Sequence, residues 1–267
     1  LNNSLRAGID YFLSDKETLT GAFLFRKGND DNFGLLEYND FINDFPGNRV
    51  VQTLRTDDEN EDESNLEYSL NFRKEYSSRK HTLEATVSYQ DNIEEETSDF
   101  LEKATVFDGR PAIVDIIQRS GNKESQKQWL FQVDFKKPVL EDGNFEFGVR
   151  TSLRNINNDY KVEQLNDGEY KSLEGLTNIF DYDENVYAAY TQFGNKWGNF
   201  SAQLGLRAEY SDVTTLLETT NEENARDYFN VFPSSFLNYA FNESNSLQAN
   251  YSRRIRRPRF WDFIRLM

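Results

Sequence analysis

About ten runs of this sequence alternate apolar and polar residues with a period of two, and each lasts about ten residues or a little more. In LRAGIDYFL the apolar set is Leu5, Ala7, Ile9, Tyr11 and Leu13, with Arg6, Gly8 and Asp10 opposite. NLEYSLNFRK sets Leu66, Tyr68, Leu70 and Phe72 against Glu67, Ser69, Asn71 and Arg73, and HTLEATVSYQ sets Leu83, Ala85, Val87 and Tyr89 against Thr82, Glu84, Thr86 and Ser88. Further runs carry Trp129, Phe131, Val133 and Phe135, then Phe145, Phe147, Val149 and Leu153, then Phe200, Ala202, Leu204, Leu206, Ala208 and Tyr210. Successive side chains of a strand point to opposite faces, so each run makes one apolar and one wet face. Globular strands average about 5–6 residues, whereas about 9–11 tilted residues cross a bilayer's hydrocarbon core. The length of the runs favours the bilayer.

The connections alternate too. Short polar ones fall at SDKE (14–17), YSSRK (76–80), PVLEDG (138–143), GNKWG (194–198) and NESN (242–245), all rich in turn formers. Between them the sequence predicts long loops near 29–64, 93–126, 157–183 and 212–227. Tight turns on one rim and long loops on the other are the rhythm of an outer-membrane barrel, with the turns periplasmic and the loops extracellular. Aromatic residues at the ends of the apolar runs (Tyr11, Phe72, Tyr89, Phe135, Tyr210, Tyr239, Tyr251) suit interfacial girdles. The rival is a soluble secreted β protein, for example a carbohydrate-binding sandwich, because period two alone does not distinguish a face turned to lipid from one turned to a dry core. A complete small barrel of about ten strands, acting as a pore or an adhesin, is the other alternative.

Composition narrows the chemistry. The chain has no cysteine, which removes disulfides and thiol nucleophiles, and one histidine, His81, placed beside a tight turn. A net charge of -16 argues against nucleic acid as a partner. Mean hydropathy is -0.79, yet aromatics make up 15% of residues, too many for a disordered chain. There is no run of about 18 apolar residues, so no transmembrane helix is expected, a fact silent about barrels. Leu1 is not an initiator methionine and Met267 directly follows an apolar-aromatic run, so both ends read as cuts.

The candidate functional residues are few. The acidic run Asp57–Ser64 has carboxylates enough for calcium but neither the glycine turn nor the spacing of an EF-hand, and reads as a solvated loop tip. Glu94, Glu95 and Glu96 carry no specific acid/base signal in so acidic a chain. Phe33, Tyr38, Phe41 and Phe45 mix with acids and asparagines in the first long connection, as in a recognition loop. Arg150, Arg207 and Glu209 fall on wet faces in mid-strand, and the period places Arg254 and Arg256 of YSRRIRRPRF there as well. Motifs for nucleotide, zinc or nucleophile-elbow chemistry are missing, and the expectation is a non-enzyme without a cofactor.

The segment YSRRIRRPRFWDF resembles the strand signature of TonB-dependent receptors in the outer-membrane β-barrel group. DENVYAAYTQFGNKWGNFSAQLGLRAEYS and YFNVFPSSFLNYAFNESNSLQANYSRRIRRP resemble two successive hairpins of the same group, and GIDYFLSDKETLTG an earlier one. Phe263 stands where the group often has leucine, and IRLM where it usually continues Asn-Pro. The resemblance implies an all-β, antiparallel up-and-down transmembrane barrel of about 22 strands, of which this chain supplies about ten. Residues 1–267 would then be one part of a single barrel domain in the outer membrane, with the plug domain and the remaining strands lying elsewhere in the protein. It further implies import of a specific ligand (siderophore, haem, glycan or peptide), with membrane lipid, the plug and the TonB system as partners.

Overall fold

The fold was taken from a computed structural model, which describes residues 1–42, 47–76, 78, 80–109, 111, 113 and 115–255. Eleven strands form one antiparallel sheet: β1 (Asn2–Ser14), β2 (Glu17–Ile42), β3 (Asn48–Glu75), β4 (Thr82–Val106), β5 (Ile116–Val139), β6 (Gly143–Asn166), β7 (Glu169–Ser172), β8 (Asn178–Trp197), β9 (Phe200–Leu217), β10 (Glu222–Asn242) and β11 (Asn245–Ser252). Every strand pairs with the strands before and after it in sequence, except that β7, a short hairpin arm, pairs with β6 alone and β6 goes on to pair with β8. Among the described residues β1 and β11 do not meet, and the sheet is an open up-and-down wall.

The tight turns sit close to where their residues predict. Ser14 faces Glu17 across a two-residue turn, and Asn242 faces Asn245 likewise. One turn lies slightly later than expected, at Gly198 with φ of 59°, a left-handed conformation that glycine adopts without a Cβ clash. Asp167 and Gly168, both at positive φ, make the hairpin that adds β7, an element hidden in the predicted 157–183 loop.

The long connections differ most from expectation. β2 through β6 run 24 to 28 residues each, so the segments predicted as loops are continuations of the strands. At about 3.3 Å per residue, the 28 residues of β3 reach roughly three times the hydrocarbon thickness of a bilayer. The physical reason is plain from the register, which runs unbroken from Val51↔Val106 to Glu75↔Thr82. Outside the membrane both faces of a ribbon meet water, so alternation disappears while the backbone ladder persists. The acidic run Asp57–Ser64 is therefore not a loop tip: it lies mid-strand in β3, paired with both β2 and β4.

One face of the sheet carries the apolar set, and it is exposed. Ile9 is 73% accessible, Leu70 49%, Trp129 44% and Leu204 55%. Aromatic pairs edge this band toward the long strand ends, Tyr89 on Trp129 at 4.7 Å and Tyr187 on Tyr210 at 6.4 Å, and toward the turns, Trp197 on Phe200 at 6.1 Å and Tyr76 on Phe135 at 6.3 Å. No second layer of described residues covers it, which removes the sandwich reading. The buried hydrophobic cluster lies on the other face: Ile156, Phe180 and Tyr182, with Val213 and Leu217 against them. Burying such side chains contributes about 1.5–3 kcal/mol each, and ties β6, β8 and β9 together beyond the aromatic band.

Candidate functional site

The polar face is the part of the wall with chemistry, and three zones follow one another along it. In the zone behind the apolar band, register places Arg150, Ala188 and Glu209 in one row, and Gly148, Tyr190 and Arg207 in the next. The small residues Gly148 and Ala188 let long side chains lie flat. The Tyr190 ring crosses Gly148 and its hydroxyl donates to Asp134 on β5, two strands away. Gln132 Nε2 donates to the other oxygen of Asp134 at 2.6 Å, and Arg150 reaches Gln132 Oε1 at 3.5 Å. Arg207 Nε donates to Glu209, which is 8% exposed, and its guanidinium stands 5.5 Å from the Tyr190 ring centroid. Three predicted polar-face residues, Arg150, Arg207 and Glu209, thus share one network. Arg254 is not part of it, because β11 ends at Ser252 and residues 253–255 continue as irregular chain after a last bond from Arg253 N to Pro233 O at 3.1 Å. Arg256 lies outside the described residues.

Farther out the same face becomes acidic. Glu61 stands directly opposite Glu96, Glu63 opposite Glu94, and Glu94 opposite Glu124, so three adjacent strands carry like charges in register. Such pairs are destabilising. Burial, then Glu61 and Glu63, hold the Glu94 carboxyl above its ordinary range; burial, then Glu59, Glu61 and Glu94, do so for Glu96. Burial and Glu94 raise Glu124 against the pull of Arg154, and the buried Oε2 of Glu124 has no hydrogen-bond partner. Arg154 itself is bonded to Glu184 at 2.6 Å. Among the described residues no group of three or more histidine or acidic side chains is arranged to hold a metal ion.

A folded-state pKa above the unfolded one means that the folded state holds more protons in the window between the two, and stability falls as pH rises through it. Glu94, Glu96 and Glu124 are thus expected to loosen the outer parts of β3–β5 above the ordinary carboxylate range near 4.5. Hydrogen exchange, corrected for its intrinsic pH dependence, should show these amides better protected at pH 5 than at pH 8. Glu94→Gln and Glu96→Gln should flatten that difference; equal protection at both pH values in the parent protein would rule it out.

At the outermost zone cations stack on rings. Arg55 lies 4.5 Å from the Phe100 ring centroid and bonds Glu102 at 2.8 Å. On the opposite face, by the parity of the β5–β6 register, Arg119 lies 4.1 Å from the Tyr170 ring centroid and shares Glu163 with Lys161, both at 2.6 Å, and these two cations hold the Glu163 carboxyl below its usual range. Of the predicted ligand-loop residues, Phe33, Tyr38 and Phe41 lie on the outer part of β2 rather than on a loop, with Phe33 and Tyr38 exposed, while Phe45 lies outside the described residues. His81 stacks on Tyr76 at 4.4 Å at the turn end, a structural setting.

Two features escaped the sequence reading. Glu61, Glu63, Glu94 and Glu96 come onto one face only through the register of β3 and β4, since Asp62 and Glu95 break any alternation in the sequence. Gly148 inside a strand run was a sign of close approach by another group.

Residues 74–264 match the outer membrane protein beta-barrel family. No curated protein matches the chain. Among solved structures, the copper transporter OprC is similar with a TM-score of 0.53 at 14% identity over 97% of this chain and 45% of that one. The FrpB iron transporter from Neisseria meningitidis gives a TM-score of 0.41 at 12% identity, over 97% of this chain and 46% of that one. The ferric citrate transporter FecA gives 0.39 at 13% identity, over 93% and 43%. The chain spans less than half the length of each, and at these identities the likeness to OprC speaks for the fold alone. The family match covers most of the chain, and the face of the sheet left uncovered is the one that water disfavours: this chain belongs to the outer membrane protein β-barrel family and resides in the outer membrane.

Proposed function

We propose that the chain is one part of the barrel wall of a TonB-dependent receptor, a transporter and not an enzyme, that imports a specific ligand across the outer membrane. The observation that carries this reading is the open wall of eleven strands, which aligns over nearly its whole length with under half of the copper transporter chain. The signature YSRRIRRPRFWDF and the two hairpins before it support the same reading. In it the polar face lines the lumen around a plug domain carried elsewhere in the protein. Arg150, Arg207 and Glu209 then line the passage, and the outer ends of β2–β6 rise above the membrane to meet a siderophore, haem, glycan or peptide.

The test uses the whole protein that carries this chain, in outer-membrane vesicles. It should be retained by an immobilised periplasmic domain of the same organism's TonB, more strongly when a cognate ligand is present. A deletion strain should lose growth on one member of a panel of iron chelates, haem, glycans and peptides. A protein that never binds TonB, and whose deletion strain grows on all of them, is not such a receptor.

A further inference from the structure

Two depressions lie end to end on the lipid-facing side of the first hairpins. One is an apolar groove of about 670 Å³. It exists because Ala7 and Gly21 stand in the middle of a face otherwise built of large side chains, and Ile9, Phe23, Leu70 and Val87 form its walls. Its far end is closed by the contacting rings of Tyr89 and Trp129. A Cβ added at Gly21 would meet only Ile9 Cγ2, at 3.8 Å, so the space above it is open.

The other depression is a polar pocket of about 570 Å³ at the turn end, lined by Lys16, Glu17 and Lys74 beside the stacked rings of Tyr76 and His81. Lys74 Nζ gives one bond to Glu17 at 2.7 Å and lies 5.5 Å from the Tyr76 ring centroid, which leaves donors free to face the pocket. Register joins the two depressions. Glu17, Leu19, Gly21 and Phe23 succeed one another on the lipid-facing side of β2, opposite Lys74, Phe72, Leu70 and Tyr68 of β3. From Glu17 to Phe23 is about 20 Å along the strand. At a barrel's usual tilt that is about 15 Å of depth, half of a bilayer's hydrocarbon core.

We propose that the two depressions are one site, which seats a single zwitterionic glycerophospholipid of the periplasmic leaflet. One acyl chain lies along Ala7 and Gly21, and the phosphate meets Lys16 and Lys74. The carboxylate of Glu17 in the same pocket, already bonded to Lys74, suits a headgroup with an amine beside its phosphate, that is, phosphoethanolamine. The turns face the periplasm in barrels of this kind, which assigns the leaflet. The groove is continuous with the lipid-exposed band, so an acyl chain reaches it without crossing water.

The experiment is native mass spectrometry of the whole protein carrying this chain, delipidated in mild detergent and titrated with palmitoyl-oleoyl phosphatidylethanolamine. One lipid should remain bound under conditions that strip the rest. Gly21→Phe, which fills the groove, and Lys74→Gln, which removes the cation, should each lower its retention about tenfold, the scale of one charge-assisted hydrogen bond. Leu204→Phe, on the same face but far around the wall, should leave retention unchanged, and heat-modifiable migration in gels checks that each variant is folded. Three results overturn the proposal. Retention insensitive to both site variants means no site. Loss in Leu204→Phe as well means an unspecific annulus. Loss in Lys74→Gln alone, with inorganic phosphate displacing the lipid, means a phosphate pocket without an acyl groove.

Discussion

Arginine in place of Leu206 should impair assembly of the protein into the outer membrane, whereas arginine in place of Gln203, three residues earlier on the same strand, should be tolerated. Leu206 lies in mid-run on the apolar face of β9 and is 49% exposed. A cation on the lipid side at mid-membrane costs about 2–4 kcal/mol. That is a large share of the roughly 5–15 kcal/mol by which proteins of this size are stable. Gln203 points to the polar face, where a charge meets water and neighbours such as Arg207 and Glu209 already live. The pair separates lipid outside from dry core outside in a single assay, the heat-modifiable folded band in detergent. If the two variants assembled equally well, or if Gln203→Arg were the damaging one, the assignment of faces would be reversed. Leu237→Arg on β10 should repeat the effect of Leu206→Arg, since Leu237 pairs with Ala202 on the same apolar face.

Within the membrane, the faces of the strands were legible because the environment writes them residue by residue. Lipid on one side and polar lining on the other force alternation, and Leu5, Leu66, Leu83, Trp129, Phe145 and Phe200 all start or sit in runs whose exposure follows the expected side. Turn residues such as Asp15 and Lys16 located the reversals for a similarly local reason. Beyond the aromatic band that pressure stops. Asp57, Glu59, Glu61 and Glu63 look like a solvated tip because strand propensity is low for acids, and only pairing with both β2 and β4 holds them extended. Length was therefore misjudged where the fold depends on neighbours rather than on solvent. The same applies to the site: Arg150, Arg207 and Glu209 were identifiable one at a time by parity, but their joint network depends on register between β6, β8 and β9. Arg253, Arg254 and Ile255 show the converse, since a local pattern with good parity gives irregular chain at these three residues.

The other large effect is expected at Gly148, and it tests the register directly. A Cβ built there would lie 2.3 Å from Cζ and 2.4 Å from the hydroxyl oxygen of Tyr190. That ring cannot simply swing aside, because its hydroxyl is bonded to Asp134 while Arg207 lies against it from the next strand. Gly148→Ala should therefore destabilise the wall by about 1–3 kcal/mol, the usual penalty for overpacking. Gly148→Val should cost more. Tyr190→Ala alone also costs stability, by leaving Asp134 one donor short, but it removes the obstacle, so Gly148→Ala added to it should cost almost nothing. The double variant is thus expected to be more stable than the sum of the single losses predicts, a coupling of about 1 kcal/mol or more. Equilibrium unfolding of the whole protein in urea, followed by the folded band in gels, gives the four corners of the cycle. Additive losses would mean that Tyr190 does not lie over Gly148, and the row that joins Gly148, Tyr190 and Arg207 would have to be redrawn.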